Sequence, residues 1–224
     1  MQGSDLKLDD SDRGSWASLS VPLIIIAICS AIELALQLAD FGVVFSPRLR
    51  MLAYDYFGFW PGLLRDWTPN YPSQPKLMFL TYGFLHSGFL HVLFNMITLF
   101  SLARVVILRV GQLRFLALYI LTIFGGAIGF WLLTDTLSPM VGASGALFGL
   151  AGALISWDYV DRFTIRVGLW PVLRAVLFLV GLNIALWWAM KGQLAWETHL
   201  GGFITGWVVA LLLDPRGHAE SDSE

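Results

Sequence analysis

The chain has 224 residues, 57% of them hydrophobic and only 13% charged, with a formal net charge of −2. A soluble domain carries about a quarter charged residues, so the composition points to a membrane protein. The near-neutral charge, the lack of a basic cluster and a single cysteine, Cys29, argue against nucleic acid as a partner, an intramolecular disulfide and a thiolate metal cluster.

Residues 1–18 are polar, unlike a signal peptide, and read as a cytosolic tail. A spanning helix needs about 20 mostly apolar residues. Six segments qualify: 19–39, 77–102, 113–133, 143–158, 171–190 and 196–213. Between the first two, residues 41–76 form a long aromatic loop. Pro and Gly interrupt it too often for a crossing, so it is expected to lie in the interface as short amphipathic helices, either as a lipid anchor or as a lateral guard beside a site. The fourth segment is short. From Ala143 to Asp158 it covers about 24 Å at 1.5 Å per residue, against a hydrocarbon core of ~30 Å. Its first residues then lie within the membrane's depth, and the preceding loop, with Asp135 and Pro139, must dip inward. Irregular backbone is tolerated at that depth only inside protein or beside a water-filled cavity. Residues 214–224 form a second polar tail. With the N-terminus inside, nine Lys and Arg fall on the cytosolic side and five opposite, so both termini are predicted to be cytosolic. Trp131, Trp157, Trp170, Trp187, Trp188 and Trp196 near the segment ends agree with these limits.

Ser144 stands in VGASGALFGLAG, followed by Gly145, Gly149 and Gly152. Small residues at this spacing let helices approach closely, so Ser144 reads either as a packing residue or as a nucleophile, and the second reading needs a base. Of four histidines, His218 lies in the tail, His86 and His91 in the second segment and His199 at the start of the sixth. Ionisable groups inside spans are functional candidates by default. His199 lies one turn before Gly202, and Gly202 and Gly206 form a second small face. Packing the two faces together would bring Ser144 and His199 side by side.

An acid would normally orient the histidine. Glu197, two residues away, points elsewhere on the helix, and the positions one turn away are Ala195, Trp196, Gly202 and Phe203, so the pattern favours a Ser/His dyad. Donors for an oxyanion are offered by His91 and Asn95, four residues apart on one face, together with the Ser144 backbone N–H. His86 lies roughly 140° from His91 around the helix and is assigned a bracing role through hydrogen bonds. Glu33 and Asn183 read as helix-packing contacts, Glu33 being either protonated or paired. A zinc site from His91, His199 and Glu197 is disfavoured, because the spacings of a helical ligand pair are absent.

Three motifs now stand in order: HSGFLHVLFN, GASG and HLGGFITG. They resemble the H-x4-H-x3-N, G-x-S-G and H-x2-G-x3-G patterns of the rhomboid family of intramembrane serine proteases, over a core of residues 19–213. The resemblance implies an all-α, polytopic bundle of six transmembrane helices with a short fourth span starting inside the membrane. It implies Ser144 as nucleophile, His199 as general base, and His91, Asn95 and the Ser144 N–H as the oxyanion hole. Gly142 would shape the turn, and Phe148, where many members have tyrosine, would stack on His199. Single-span membrane proteins would be the substrates, cleaved in the lipid bilayer without cofactor or metal. If the chain is bacterial, the membrane would be the plasma membrane. The family's frequent Trp-Arg pair is missing, since Trp60 and Trp67 precede Pro61 and Thr68. The competing reading is a non-catalytic relative that binds or escorts transmembrane clients; retention of both Ser144 and His199 favours the hydrolase. A transporter would carry an internal repeat, and the two halves show none.

Overall fold

In lipid every backbone N–H and C=O must be satisfied within the chain, and apolar segments meet that demand as helices. The computed structural model describes residues 19–213, so both polar tails and His218 lie outside the described residues. Helix α1 is Ser20–Asp40. The first loop contains α2, Leu49–Phe57, and a 3-10 turn at Pro61–Leu64. Then come α3, Gln74–Thr81; α4, Phe89–Leu133; α5, Ser144–Thr164; α6, Trp170–Ala189; and α7, Trp196–Leu213. Among the described residues no strand forms; a single antiparallel bridge pairs Phe59 with Met140.

Four of these helices, α1, α4, α6 and α7, are long and apolar enough to cross a membrane. With 45 residues, α4 would reach about 68 Å, twice a hydrocarbon core, if it were straight. It is not straight. Gly111, at φ 81° and ψ 169°, breaks it, and glycine adopts this left-handed region without the Cβ penalty. Before the break the helix runs from His91, beside Gly142 at the start of α5, to Arg109, paired with Asp161 near the end of α5. After it the chain returns, with Gly126 against Thr198 and Gly129 against Glu197 and Gly201 at the start of α7. The two halves of α4 are therefore antiparallel.

Two expected segment limits change. The stretch 77–102 is not one helix: α3 ends at Thr81, a 3-10 turn covers Tyr82–Phe84, Leu85 is extended, and Gly88 sits at φ 127° before α4 begins. His86 accordingly lies on the connection and not on the helix. The segment placed at 143–158 forms a helix that continues to Thr164, its last turns carrying Asp158, Asp161 and Arg162. Paired charge extends it: Arg162 Nε bonds both Asp158 oxygens at 2.9 and 2.8 Å.

The core is built on glycine. A Cβ on Gly202 or Gly206 of α7 would run into the carbonyl oxygens of Gly145 and Gly149 of α5, and one on Gly201 into Gly125 O of α4. Helix α7 is thus wedged between two small-residue faces, the arrangement that maximises dispersion contact where lipid supplies no hydrophobic drive. Polar ties reinforce it: Ser156 Oγ donates to Trp207 O at 3.1 Å and Trp157 Nε1 to Ala210 O at 2.8 Å. Helix α6 is the peripheral element, with Val172 alone buried among its twenty residues.

Candidate active site

The approach to α5 is pinned before the helix starts. Phe59 and Met140 exchange two backbone hydrogen bonds of 3.0 Å, and the Gly142 N–H donates to Tyr82 O at 3.0 Å. Phe59 is fully buried and meets Phe79, Tyr82 and Phe130 edge-on. The first loop therefore fixes the segment that leads into Ser144. Gly142 takes φ 127°, and a Cβ there would meet Cε1 and Nε2 of His91 at 2.8 and 2.9 Å. Both the dihedral and the space demand glycine.

Ser144 is the first helical residue of α5. Its backbone N–H and those of the next residues have no partner within the helix and carry the positive end of the helix dipole. The Ser144 hydroxyl lies 2.8 Å from His199 Nε2. The His199 ring is 3% exposed and stacks on Phe148 at 4.1 Å between centroids and 4° between planes. Its other nitrogen, Nδ1, lies 2.7 Å from Asn183 Oδ1 on α6. The glycine faces of α5 and α7 do bring Ser144 and His199 together. Asn183, read from the sequence as a helix-packing contact, makes that contact as a hydrogen-bond partner of the histidine. No periodicity could have found it, because the contact crosses between helices whose relative rotation is not encoded in either one alone.

His91 faces the same turn. Its Nδ1 accepts the Ser87 backbone N–H at 3.2 Å and contacts Ser87 Oγ at 2.9 Å. A nitrogen that accepts from an amide N–H is bare, so the ring proton sits on Nε2, the atom directed at Gly142. Asn95 is buried one turn along, and its Nδ2 donates to His91 O at 2.8 Å. One amide proton is thereby spent within the helix and one left over. His86 is not turned away from His91: the rings meet edge-on at 5.1 Å. Its bracing runs through the main chain, since His86 O accepts from Tyr54 Oη at 2.8 Å and Arg50 Nη1 at 2.9 Å, while neither ring nitrogen is hydrogen-bonded. Arg50 also holds Glu33, 2% exposed, through two bonds of 2.8 and 3.1 Å. Glu33 is therefore paired, and the loop has an arginine anchor despite lacking a Trp-Arg pair.

The arrangement sets a hydroxyl against an imidazole nitrogen at a helix N-terminus, with a second imidazole against the preceding Gly142 turn. Among known proteins, the rhomboid domain family matches residues 74–216. The chain is 31% identical over 151 residues to RHOMBOID-like protein 6, mitochondrial, of Arabidopsis thaliana, covering 66% of this chain and 47% of that protein. It is 35% identical over 136 residues to RHOMBOID-like protein 5, also of Arabidopsis thaliana, covering 59% and 43%. It is 31% identical over 129 residues to Rhomboid protease GluP of Bacillus subtilis (strain 168), covering 58% and 24%. The matched stretch spans less than half the length of each of these relatives. Taken with its long apolar helices, the match identifies a multi-pass integral membrane protein that belongs to the rhomboid family.

Proposed function

We propose that this chain is an intramembrane serine endopeptidase that cleaves single-span membrane proteins, its catalytic unit being the six-span bundle of residues 19–213. The observation that carries the reading is the 2.8 Å contact between Ser144 Oγ and His199 Nε2 at a helix N-terminus. The likeness to rhomboid protease GluP supports it.

In this reading both termini are cytosolic, and the Arg109–Asp161 pair marks the cytosolic boundary. Ser144 then stands about 26 Å above Asp161 at 1.5 Å per residue, short of the ~30 Å core and within the outer part of the bilayer. Ser144 Oγ attacks the scissile carbonyl carbon while its proton passes to His199 Nε2. The electron pair moves onto the carbonyl oxygen, for which the Ser144 N–H, His91 Nε2–H and the spare Asn95 amide proton serve as donors. The imidazolium returns its proton to the departing amine, leaving an acyl-serine. A water then gives its proton to His199 and attacks that ester, and Ser144 is restored.

The test is cleavage of a single-span substrate in proteoliposomes by the wild type, Ser144→Ala and His199→Ala, with labelling of Ser144 by a fluorophosphonate as a substrate-independent readout. The reading requires cleavage and labelling by the wild type and loss of cleavage in both variants. A Ser144→Ala protein that still cleaves overturns it. A folded wild type that neither cleaves nor labels would instead mark a non-catalytic client-binding relative.

A further inference from the structure

We infer that Asn183 is a positioning residue, which selects the working tautomer and ring orientation of His199; the inference rests on the protease reading above. For Ser144 Oγ–H to donate to His199 Nε2 at 2.8 Å, that nitrogen must be bare, so the proton of the neutral ring sits on Nδ1. At 3% exposure that N–H needs an acceptor, since a buried unpaired donor is costly. Asn183 Oδ1, at 2.7 Å, is that acceptor.

Stacking on Phe148 does not substitute for it. The nearly parallel stack fixes the plane of the ring, but a half-turn about Cβ–Cγ leaves the plane unchanged while carrying Nε2 away from Ser144. Only a directional bond to one edge distinguishes the two orientations. Asn183 supplies it without placing a second charge in a low-dielectric site, where an unmatched carboxylate would be expensive. The donor helix gives the bond a further property. Among the described residues no other side-chain hydrogen bond leaves α6, a helix with Val172 alone buried. The base is therefore held by the least buried of the four long apolar helices.

The experiment compares the full chain in lipid bicelles with Asn183→Leu, which has the same number and branching of side-chain heavy atoms and is compatible with lipid, and Asn183→Asp, which keeps an acceptor oxygen. Two quantities are read: kcat and KM on a single-span substrate, and the tautomer of His199 from nitrogen NMR of histidine-labelled protein, with the His199 signals identified by their loss in His199→Gln. Asn183→Leu is expected to lower kcat about tenfold, the equivalent of one neutral hydrogen bond of about 1.4 kcal/mol, with KM little changed. Its Nδ1–H signature should give way to a mixture of tautomers. Asn183→Asp should restore the Nδ1–H signature, since its oxygen still accepts, and recover part of kcat, the added charge being costly at this site. Wild-type kcat in Asn183→Leu overturns the inference, as does a loss of kcat in both variants with the tautomer unchanged. A wild type that shows the Nδ1–H form, loses it in Asn183→Leu, and yet hydrolyses nothing would sink the protease reading and leave the Asn183 tie standing.

Discussion

Replacing Arg50 by methionine keeps most of the stem and removes the guanidinium, which leaves Glu33 with one remaining partner, Gln37 Nε2 at 3.0 Å. The pair being broken is well enclosed, at 18% side-chain exposure for Arg50 and 2% for Glu33. Breaking a buried ion pair from one side costs about 3–5 kcal/mol, because the surviving charge is stranded in low dielectric. The bond to Asp40 adds little: that carboxylate is 35% exposed, and exposed pairs contribute about 0–1 kcal/mol. The His86 carbonyl keeps Tyr54 as a donor, so it is not orphaned. The expected loss is therefore about 3–5 kcal/mol, nearly all of it from Glu33. The same logic predicts that Glu33→Met in the Arg50→Met background recovers most of the loss, since replacing both partners with apolar side chains is close to neutral. A double-mutant cycle of reversible unfolding in bicelles measures both effects. The reasoning fails if Arg50→Met costs less than about 1 kcal/mol, or if the double variant is as unstable as the sum of the singles.

Four further outcomes follow from the packing. Gly206→Val should drive α7 away from Gly149 and destabilise the bundle by about 3 kcal/mol or more, seen as a lowered midpoint in the same unfolding assay. Gly142→Ala should cost about 1–3 kcal/mol for a non-glycine residue at φ 127° and depress kcat by displacing the His91 ring, whereas wild-type kinetics would contradict the account of that turn. Phe148→Tyr should leave kcat nearly unchanged, because the stack on His199 persists. Phe148→Ala should lower kcat by up to about tenfold, the worth of one aromatic stack.

The helices were legible because composition alone separates apolar runs from polar ones, and the limits of α6 and α7 follow it to within a residue. The meeting of Ser144 and His199 was legible for a different reason. Gly145, Gly149, Gly202 and Gly206 state which faces must touch, and the two polar residues ride on those faces. The break at Leu85–Gly88 was signalled by the Ser87-Gly88 pair but hidden by the apolar run on either side, so His86 was placed one structural element too late. Asn183, Arg50 and Ser87 act across elements, and nothing in a linear pattern gives the rotation of α6 or the fold of the first loop. His86 lies outside any helix, so its position relative to His91 is set by the connection and not by helical periodicity.

The two histidines at the turn before Ser144 have opposite chemical requirements in the proposed reaction, and each has its own means of meeting them. His199 must accept a proton at Nε2, so its own belongs on Nδ1, where Asn183 Oδ1 receives it at 2.7 Å. His91 must donate from Nε2, so its Nδ1 must be bare, and the Ser87 backbone N–H at 3.2 Å enforces that. An amide N–H cannot reverse its direction as a hydroxyl can, so Ser87→Ala should preserve the His91 tautomer and reduce kcat by less than about tenfold, the worth of the one hydroxyl contact it removes. Nitrogen spectra of the wild type and this variant should show one histidine protonated on Nδ1 and another on Nε2 in both proteins. If the two rings instead carried the same tautomer, one could not play its part, and a serine mechanism with a histidine donor in the oxyanion hole would have to be abandoned.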